Sequence, residues 1–468
     1  MEERPNIVLI VSDTLRLDHL GCYGNDAVKT PNMNRLARGG VVFTDAFPES
    51  LPTIPVRRAL HTGRRAYPFR NYRPVKWDIV SLPGWQPMDN EEDTLAENLA
   101  ASGYQTGLVT DTLPYFAPGF NFTRGFWQWE FIRGQQQDRW RSPYSVPVER
   151  LRLYGDPDEL RRDMHSLIPM YLANTSDVRD EEDTTTAKTF KAAIRFLEEN
   201  REGQPFFLMI DCFDPHEPWE APEKYFKLYW RGDYSGRRLI FLRYGPADDF
   251  GYTDEEIDYV HAQYCAHVTL VDAWLGRFLE RLEELGMDSR TVVILTSDHG
   301  TNFAENRRRI VGKPVYSMYP AVMRLPLIFS LPDGERGRCS ETVYDVDVTA
   351  TIYDLAKVKP EQRIDGQSLV PLLTGNDAWP KREYVTCRYG DYLCYIDSDH
   401  WVICDIDGSS REIFDLSSDP QRQLDLADDA DPRIFDKAWR RLLLDAGGQM
   451  PDYRGLQRTD AIGRKAKN

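Results

Sequence analysis

Five runs of apolar, largely β-branched residues with no polar alternation constrain this chain most: Asn6 to Ser12, Gln105 to Thr110, Pro205 to Asp211, Thr291 to Ser297 and Pro326 to Ser330. A strand that is apolar on both sides has to be covered on both sides, the condition of an inner strand in a parallel or mixed sheet. Helical patterns separate the runs. The clearest, from about Asp254 to Leu285, carries Val268, Val271, Leu275, Phe278, Leu282 and Leu285 at three- and four-residue spacing, and Gly286 stops it. The expected fold class is therefore α/β, a large mixed, mostly parallel sheet flanked by helices.

The length of 468 residues favours more than one domain. From about Arg382 the texture changes to short strands, Tyr384 to Tyr389, Tyr392 to Asp397 and Trp401 to Asp405, followed by a helix near Pro432 to Ala446. We expect a main α/β domain over 1–380 and a small α+β C-terminal subdomain over 381–468. The stretch of about 117–183, rich in aromatic and arginine residues (Phe126-Trp127-Gln128-Trp129, Arg139-Trp140-Arg141), reads as an insertion near the mouth of the site or at a subunit contact.

Fifty-eight basic against 74 acidic residues give a net charge of -16, which repels polyanions and argues against nucleic acid as a partner. The seven cysteines are odd in number, scattered and never arranged as C-x-x-C, so neither a disulfide framework nor a thiolate zinc site is expected. The apolar run Ile7 to Val11 is too short and wrongly flanked for a signal peptide, and no long apolar span follows. The expectation is a cytoplasmic protein without a membrane partner, its homo-oligomeric state open.

Asp13 and the pair Asp298-His299 each follow an expected strand, where side chains of an α/β sheet converge outside the carboxyl ends. Hard oxygen ligands plus one imidazole suit a divalent ion such as Mn, Ca, Mg or Zn. A strand-end aspartate taken alone more often caps a helix. The stretch from Thr53 to Gly63 reads as a helix, with Pro55 tolerated in its first turn and Gly63 as its stop, so Thr53 sits at a helix N-terminus.

These residues resemble the sulfatase family of the alkaline phosphatase superfamily in order and wording. Asn6-Ile-Val-Leu-Ile-Val-Ser-Asp13 with Asp18-His-Leu-Gly-Cys-Tyr-Gly24 is similar to the family's opening strand. Thr53-Ile-Pro-Val-Arg57, continuing to Leu60 and Thr62-Gly63-Arg64, resembles its C/S-x-P-x-R signature, and Asp214 to Trp219 its P-H-x-P segment. Thr291 to Gly300 is similar to the second metal motif and Arg324 to Phe329 to a later strand. Asp365 to Gly375 and Glu412 to Pro420 resemble the closing segments of the catalytic domain and the C-terminal subdomain.

The resemblance implies an ester hydrolase for small-molecule substrates, with Asp13, Thr53, Asp298 and His299 around one divalent metal ion. It further implies His216 and Lys313 as acid and charge clamp, and Arg57 reaching back to the nucleophile or substrate. The departures matter more. Threonine at position 53 cannot be oxidised to the formylglycine of a sulfatase, and the overlapping frame from Ser50 throws the downstream residues out of register. Threonine can instead act as a metal-bound alcohol nucleophile. Superfamily relatives that use one in this way, among them lipoteichoic acid synthases and nucleotide pyrophosphatase/phosphodiesterases, act on phosphorus. Thr14 replaces the family's second aspartate, a position also changed in phosphonate monoester hydrolases, and Val109 to Pro114 replaces its sulfate-contacting G-K-W-H. Asp111 or Thr112, with Thr14, are candidate substrate-binding residues. The favoured expectation is hydrolysis of phosphate or phosphonate (di)esters. Two others stay open: a sulfatase working without formylglycine, and a non-catalytic binding protein.

Overall fold

The structure, a computed structural model, describes residues 4–456 apart from 75–79, 137, 163–166, 204, 333, 376–378 and 420–421. Pro420 and residues 457–468 of the expected C-terminal subdomain therefore lie outside the described residues. All five apolar runs are strands of one nine-stranded sheet. In chain order its strands are β1 (Asn6–Ser12), β2 (Val41–Phe47), β3 (Gln105–Thr110), β4 (Gln128–Phe131), β5 (Phe206–Cys212), β6 (Thr291–Thr296), β7 (Leu325–Ser330), β8 (Gly337–Cys339) and β9 (Val343–Tyr344). They lie in the order β8-β2-β7-β6-β1-β5-β3-β4, with β9 also on β2. Only β7 runs antiparallel to its neighbours, so the sheet is mixed and mostly parallel.

Successive side chains of β1 feed two different cores, as a strand's two-residue period requires. Ile7, Leu9 and Val11 join one cluster, which contains residues of α2 (Thr53–Thr62) and α3 (Leu95–Ala101). Val8 and Ile10 join the other, beneath α1 (Pro31–Arg38), α4 (Thr185–Glu199) and α5 (Asp254–Glu284). Helix α5 has the extent that its periodicity predicts, and a capping box between Thr253 and Glu256 sets its start. Strand β4 comes from the stretch read as an insertion, yet pairs in parallel with β3 as the sheet's edge. Three short helices further along that stretch, Val148–Leu151, Pro157–Arg162 and Leu167–Asn174, share a small apolar cluster of their own with Ile240.

Beyond α6 (Val346–Leu355) the chain forms a four-stranded antiparallel sheet of β10 (Tyr384–Tyr389), β11 (Tyr392–Asp397), β12 (His400–Asp405) and β13 (Glu412–Asp415). One face, with Leu393, Tyr395, Val402 and Cys404, packs on α7 (Pro432–Asp445). The other, with Cys394, Ile396, Trp401 and Ile403, joins the core shared with α2. Leu51 bridges in parallel to Tyr389, its N–H donating to Arg388 O at 2.8 Å. The antiparallel sheet thus holds the chain two residues before α2 begins.

Helix α2 ends as its sequence predicts. Gly63 takes the left-handed conformation at φ 68, its N–H donates to Ala59 O at 2.8 Å, and its carbonyl accepts from Asp365 N at 2.8 Å. A Cβ there would stand 2.9 Å from Ile364 Cγ2. Gly63→Ala should therefore lower stability by about 1–3 kcal/mol, read as a lower thermal midpoint by circular dichroism; an unchanged midpoint would refute this account of the helix stop.

Candidate active site

Three adjacent parallel strands deliver three carboxylates to one edge of the sheet. Asp13 directly follows β1, Asp211 is the penultimate residue of β5, and Asp298 follows β6 by two residues. All three are fully buried, and such charges demand a compensating cation. Arg57, also fully buried, supplies it from the second turn of α2. Its Nε and Nη2 donate to the two oxygens of Asp211 at 3.0 and 2.9 Å, Nη1 donates to Asp298 Oδ2, and Nη2 lies 3.1 Å from Asp13 Oδ2. The fork of a guanidinium suits this bidentate task.

Thr53 is the first residue of α2, after Pro52 in the N-cap position, so it is not the side-chain cap that a threonine at a helix start often is. Its Oγ1 lies 3.4 Å from His299 Nε2. The other ring nitrogen of His299, Nδ1, donates to Gly300 O at 3.1 Å, which leaves the Nε2 lone pair facing the threonine. Thr14 has φ 62, a left-handed conformation that turns its N–H to Asp298 Oδ1 at 3.0 Å. Its hydroxyl donates to Asp13 Oδ1 at 2.7 Å and accepts from Lys313 Nζ at 3.3 Å. Lys313 also pairs with Glu217 at 3.0 Å, and Tyr389 Oη donates to the Lys313 carbonyl at 2.9 Å.

His216 lies beside this group. Its Nδ1 donates to Glu217 O at 2.6 Å, and burial pulls its pKa down to about 3. Burial likewise lowers His299 to about 4. Burial and the neighbouring Asp298 push Asp13 well above the usual carboxylate range. Asp298, against the upward push of its own burial, is held low by Arg57 and His299.

The expected metal ligands Asp13, Asp298 and His299 bring one donor atom each within 4.8 Å of one another. Two observations fit a divalent cation there. Asp13 Oδ2 is buried and accepts no hydrogen bond. Among the described residues the carboxylates of Asp13, Asp211, Asp298 and Glu217 face Arg57 and Lys313 as their lysine and arginine partners, an excess of two negative charges when all are ionised and the histidines are neutral. Asp13, Asp298, His299 and the Thr53 hydroxyl would hold the ion, a set of oxygens and one imidazole that does not choose among Mn, Ca, Mg and Zn.

Thr14, Thr53, Arg57, His216 and Lys313 thus gather around Asp13, Asp298 and His299. Asp111 and Thr112, the other two candidates for substrate contact, do not present free groups. The Thr112 hydroxyl donates to Asp211 Oδ1 at 2.8 Å, bracing the partner of Arg57. Asp111 accepts from Phe213 N at 2.7 Å and from Gln135 Nε2 at 3.2 Å, beneath the end of β5. Burial, reinforced by Asp214, raises its pKa to about 7. Sequence reasoning assigned no role to Asp211, Glu217 or Tyr115, whose Oη donates to Asp211 Oδ2 at 2.5 Å. A signal existed for Asp211: a carboxylate inside a doubly covered strand must meet a buried cation.

Comparison with known proteins places these features. Residues 5–358 match the model of the family described as Sulfatase, and residues 315–444 that of N-sulphoglucosamine sulphohydrolase, C-terminal. The chain is 26% identical to an arylsulfatase of Clostridium perfringens (strain 13 / Type A), over 90% of each protein. It is 25% identical to the multifunctional alkaline phosphatase superfamily protein PehA of Trinickia caryophylli, over 91% of this chain and 92% of that one. Its fold is similar to that of the phosphonate monoester hydrolase of Agrobacterium radiobacter, with a TM-score of 0.73 at 22% identity over 96% of each chain. The chain belongs to the sulfatase family and is an ester hydrolase of the alkaline phosphatase superfamily.

Proposed function

We propose that this protein hydrolyses phosphorus esters, phosphate or phosphonate, of small-molecule alcohols, with Thr53 as nucleophile. The observation that carries the proposal is the position of Thr53. A residue with no route to formylglycine occupies the start of α2 and points its hydroxyl at His299, beside Asp13 and Asp298. A divalent ion bound there would make the hydroxyl more acidic and neutralise developing charge on the substrate oxygens. The N-terminus of α2 adds positive potential at the same point.

Thr53 Oγ gives up its proton to solvent and attacks phosphorus in line; the new P–O bond forms as the bond to the leaving alcohol breaks, and the leaving oxygen takes up a proton. Lys313 holds a nonbridging oxygen as charge grows. His216 serves the leaving oxygen. In the free protein its Nδ1–H is committed to Glu217 O and Nε2 is an acceptor, so donation requires a second proton on the ring. A bound anionic ester raises the ring's pKa in that direction. Water then attacks phosphorus, breaks the bond to Thr53 and releases the phosphate or phosphonate.

Thr53→Ala should abolish turnover of p-nitrophenyl phosphodiester and phenylphosphonate, by at least about 10³-fold, and chelation should do the same until Mn, Ca, Mg or Zn is restored. Turnover of the matched aryl sulfate alone, by wild-type protein with an intact Thr53, would establish the sulfatase reading instead. No metal-dependent turnover of either phosphorus ester would refute the proposal.

Arg57→Met should destabilise the fold by about 3–5 kcal/mol, because it leaves three buried carboxylates without their shared cation. Since a divalent ion binds only the folded variant, saturating Mn should raise the melting temperature of Arg57→Met more than that of wild type. Equal shifts in differential scanning fluorimetry would refute charge compensation at this site.

A further inference from the structure

A second set of ligand atoms lies outside the active site. His19 stands in the single turn Leu17–His19, and His261 and Cys265 lie four residues apart on one face of α5. Their two imidazole nitrogens and one thiol sulfur fall within 4.8 Å of one another. His19 Nε2 and His261 Nε2 are 2.7 Å apart, and Cys265 Sγ is 3.6 Å from His261 Nε2. His19 and Cys265 are buried, and the rings of Tyr264 and Phe303 wall the group at centroid distances of 5.1 Å from His19 and 4.9 Å from His261.

The convergence of the three donor atoms suits a cation. Asp18 Oδ1 accepts from His19 Nδ1 at 2.8 Å, and Asp18 is itself fixed by Arg16 Nε and Nη2 at 2.9 and 2.6 Å. A neutral His19 therefore presents the Nε2 lone pair to His261. Against that lone pair His261 can offer only one Nε2 proton, and the sulfur beside it competes for the same proton. A cation lets both nitrogens and the sulfur direct lone pairs at one point. The carboxylate that orients a ligating imidazole through its other nitrogen is already in place as Asp18.

We propose that His19, His261 and Cys265 hold a zinc-class divalent ion, distinct from any ion at Asp13, Asp298 and His299. Two nitrogens and a thiolate select zinc or a softer ion over calcium and magnesium. Binding releases the thiol proton to solvent and leaves His261 as the Nδ1–H tautomer. Nitrogens about 2.1 Å from a tetrahedral zinc lie roughly 3.4 Å apart, so the two rings part by less than about 1 Å as it enters. Water would complete the coordination; a cavity of about 400 Å³ lined by Arg16, Asp18, Asn302 and Glu305 lies on the Asp18 side of the group. The ion would tie the 13–19 segment to α5, reinforcing Tyr264, whose Oη donates to Thr14 O at 2.9 Å and accepts from Arg16 N at 2.9 Å.

The test is titration of the metal-stripped full-length protein with Co(II) under reducing conditions, followed by absorption. Wild type should show a near-ultraviolet thiolate-to-cobalt charge-transfer band together with visible bands of tetrahedral cobalt. Asp298→Asn should keep the charge-transfer band, and Cys265→Ser should lose it while still binding cobalt elsewhere. Absence of the band from wild type at saturating Co(II), or its survival in Cys265→Ser, would overturn the proposal. Absence of the band from wild type overturns the proposal even if Cys265→Ser fails to fold, and His261→Ala, which should also lose the band, is the second variant.

Discussion

A single guanidinium holds this active site together. Parallel strands all end at the same edge of their sheet, so β6, β1 and β5, side by side, place Asp298, Asp13 and Asp211 within reach of one another. Nothing in the strands themselves offsets the repulsion. Arg57 does so, because α2 starts at the same edge and its second turn points inward. Arg57, which organises the carboxylates, and Thr53, the proposed nucleophile, are four apart on one helix, so Thr53 and the carboxylate cluster cannot move independently.

The antiparallel sheet belongs to the same arrangement. Strand β10 bridges to Leu51 just before α2, and its last residue, Tyr389, hydrogen-bonds the carbonyl of Lys313. The side chain of Lys313 reaches Thr14 and Glu217. A small sheet far along the chain thus fixes the approach to Thr53 and the position of the Lys313 backbone opposite it. Fold and chemistry share these contacts, which ties the C-terminal part of the chain to the site.

The inner strands were legible because burial on both faces leaves an unmistakable composition. Strand β2 was not: Thr44 and Asp45 interrupt its apolar run, and both are only partly buried. Edge strand β4, Gln128–Phe131, carries half-exposed residues, including Trp129 at 50% exposure, and looks like any surface segment. Asp13, Thr53 and Asp298-His299 were singled out by their places at strand ends and a helix start together with the family's motifs, and the structure brings them together. Asp111 and Thr112 also mark a strand end, but local hydrogen bonds absorb their polar atoms, which position alone does not reveal. The grouping of His19 with His261 and Cys265 depends on how α5 crosses the chain after β1, and the scattered cysteines gave no hint of it.

Thr14 illustrates a conflict between what a backbone prefers and what a site requires. A β-branched residue is among the worst choices for a left-handed conformation, which glycine or asparagine adopts at far lower cost. Here the positive φ is what lets one residue hand its N–H to Asp298 while its hydroxyl links Asp13 to Lys313. Glycine would relax the backbone and cut that link; asparagine would relax it and put a larger amide among charges already close-packed. A chain tuned for stability alone would abandon threonine at this position, so the local strain persists only because the contacts to Asp13, Asp298 and Lys313 hold it in place.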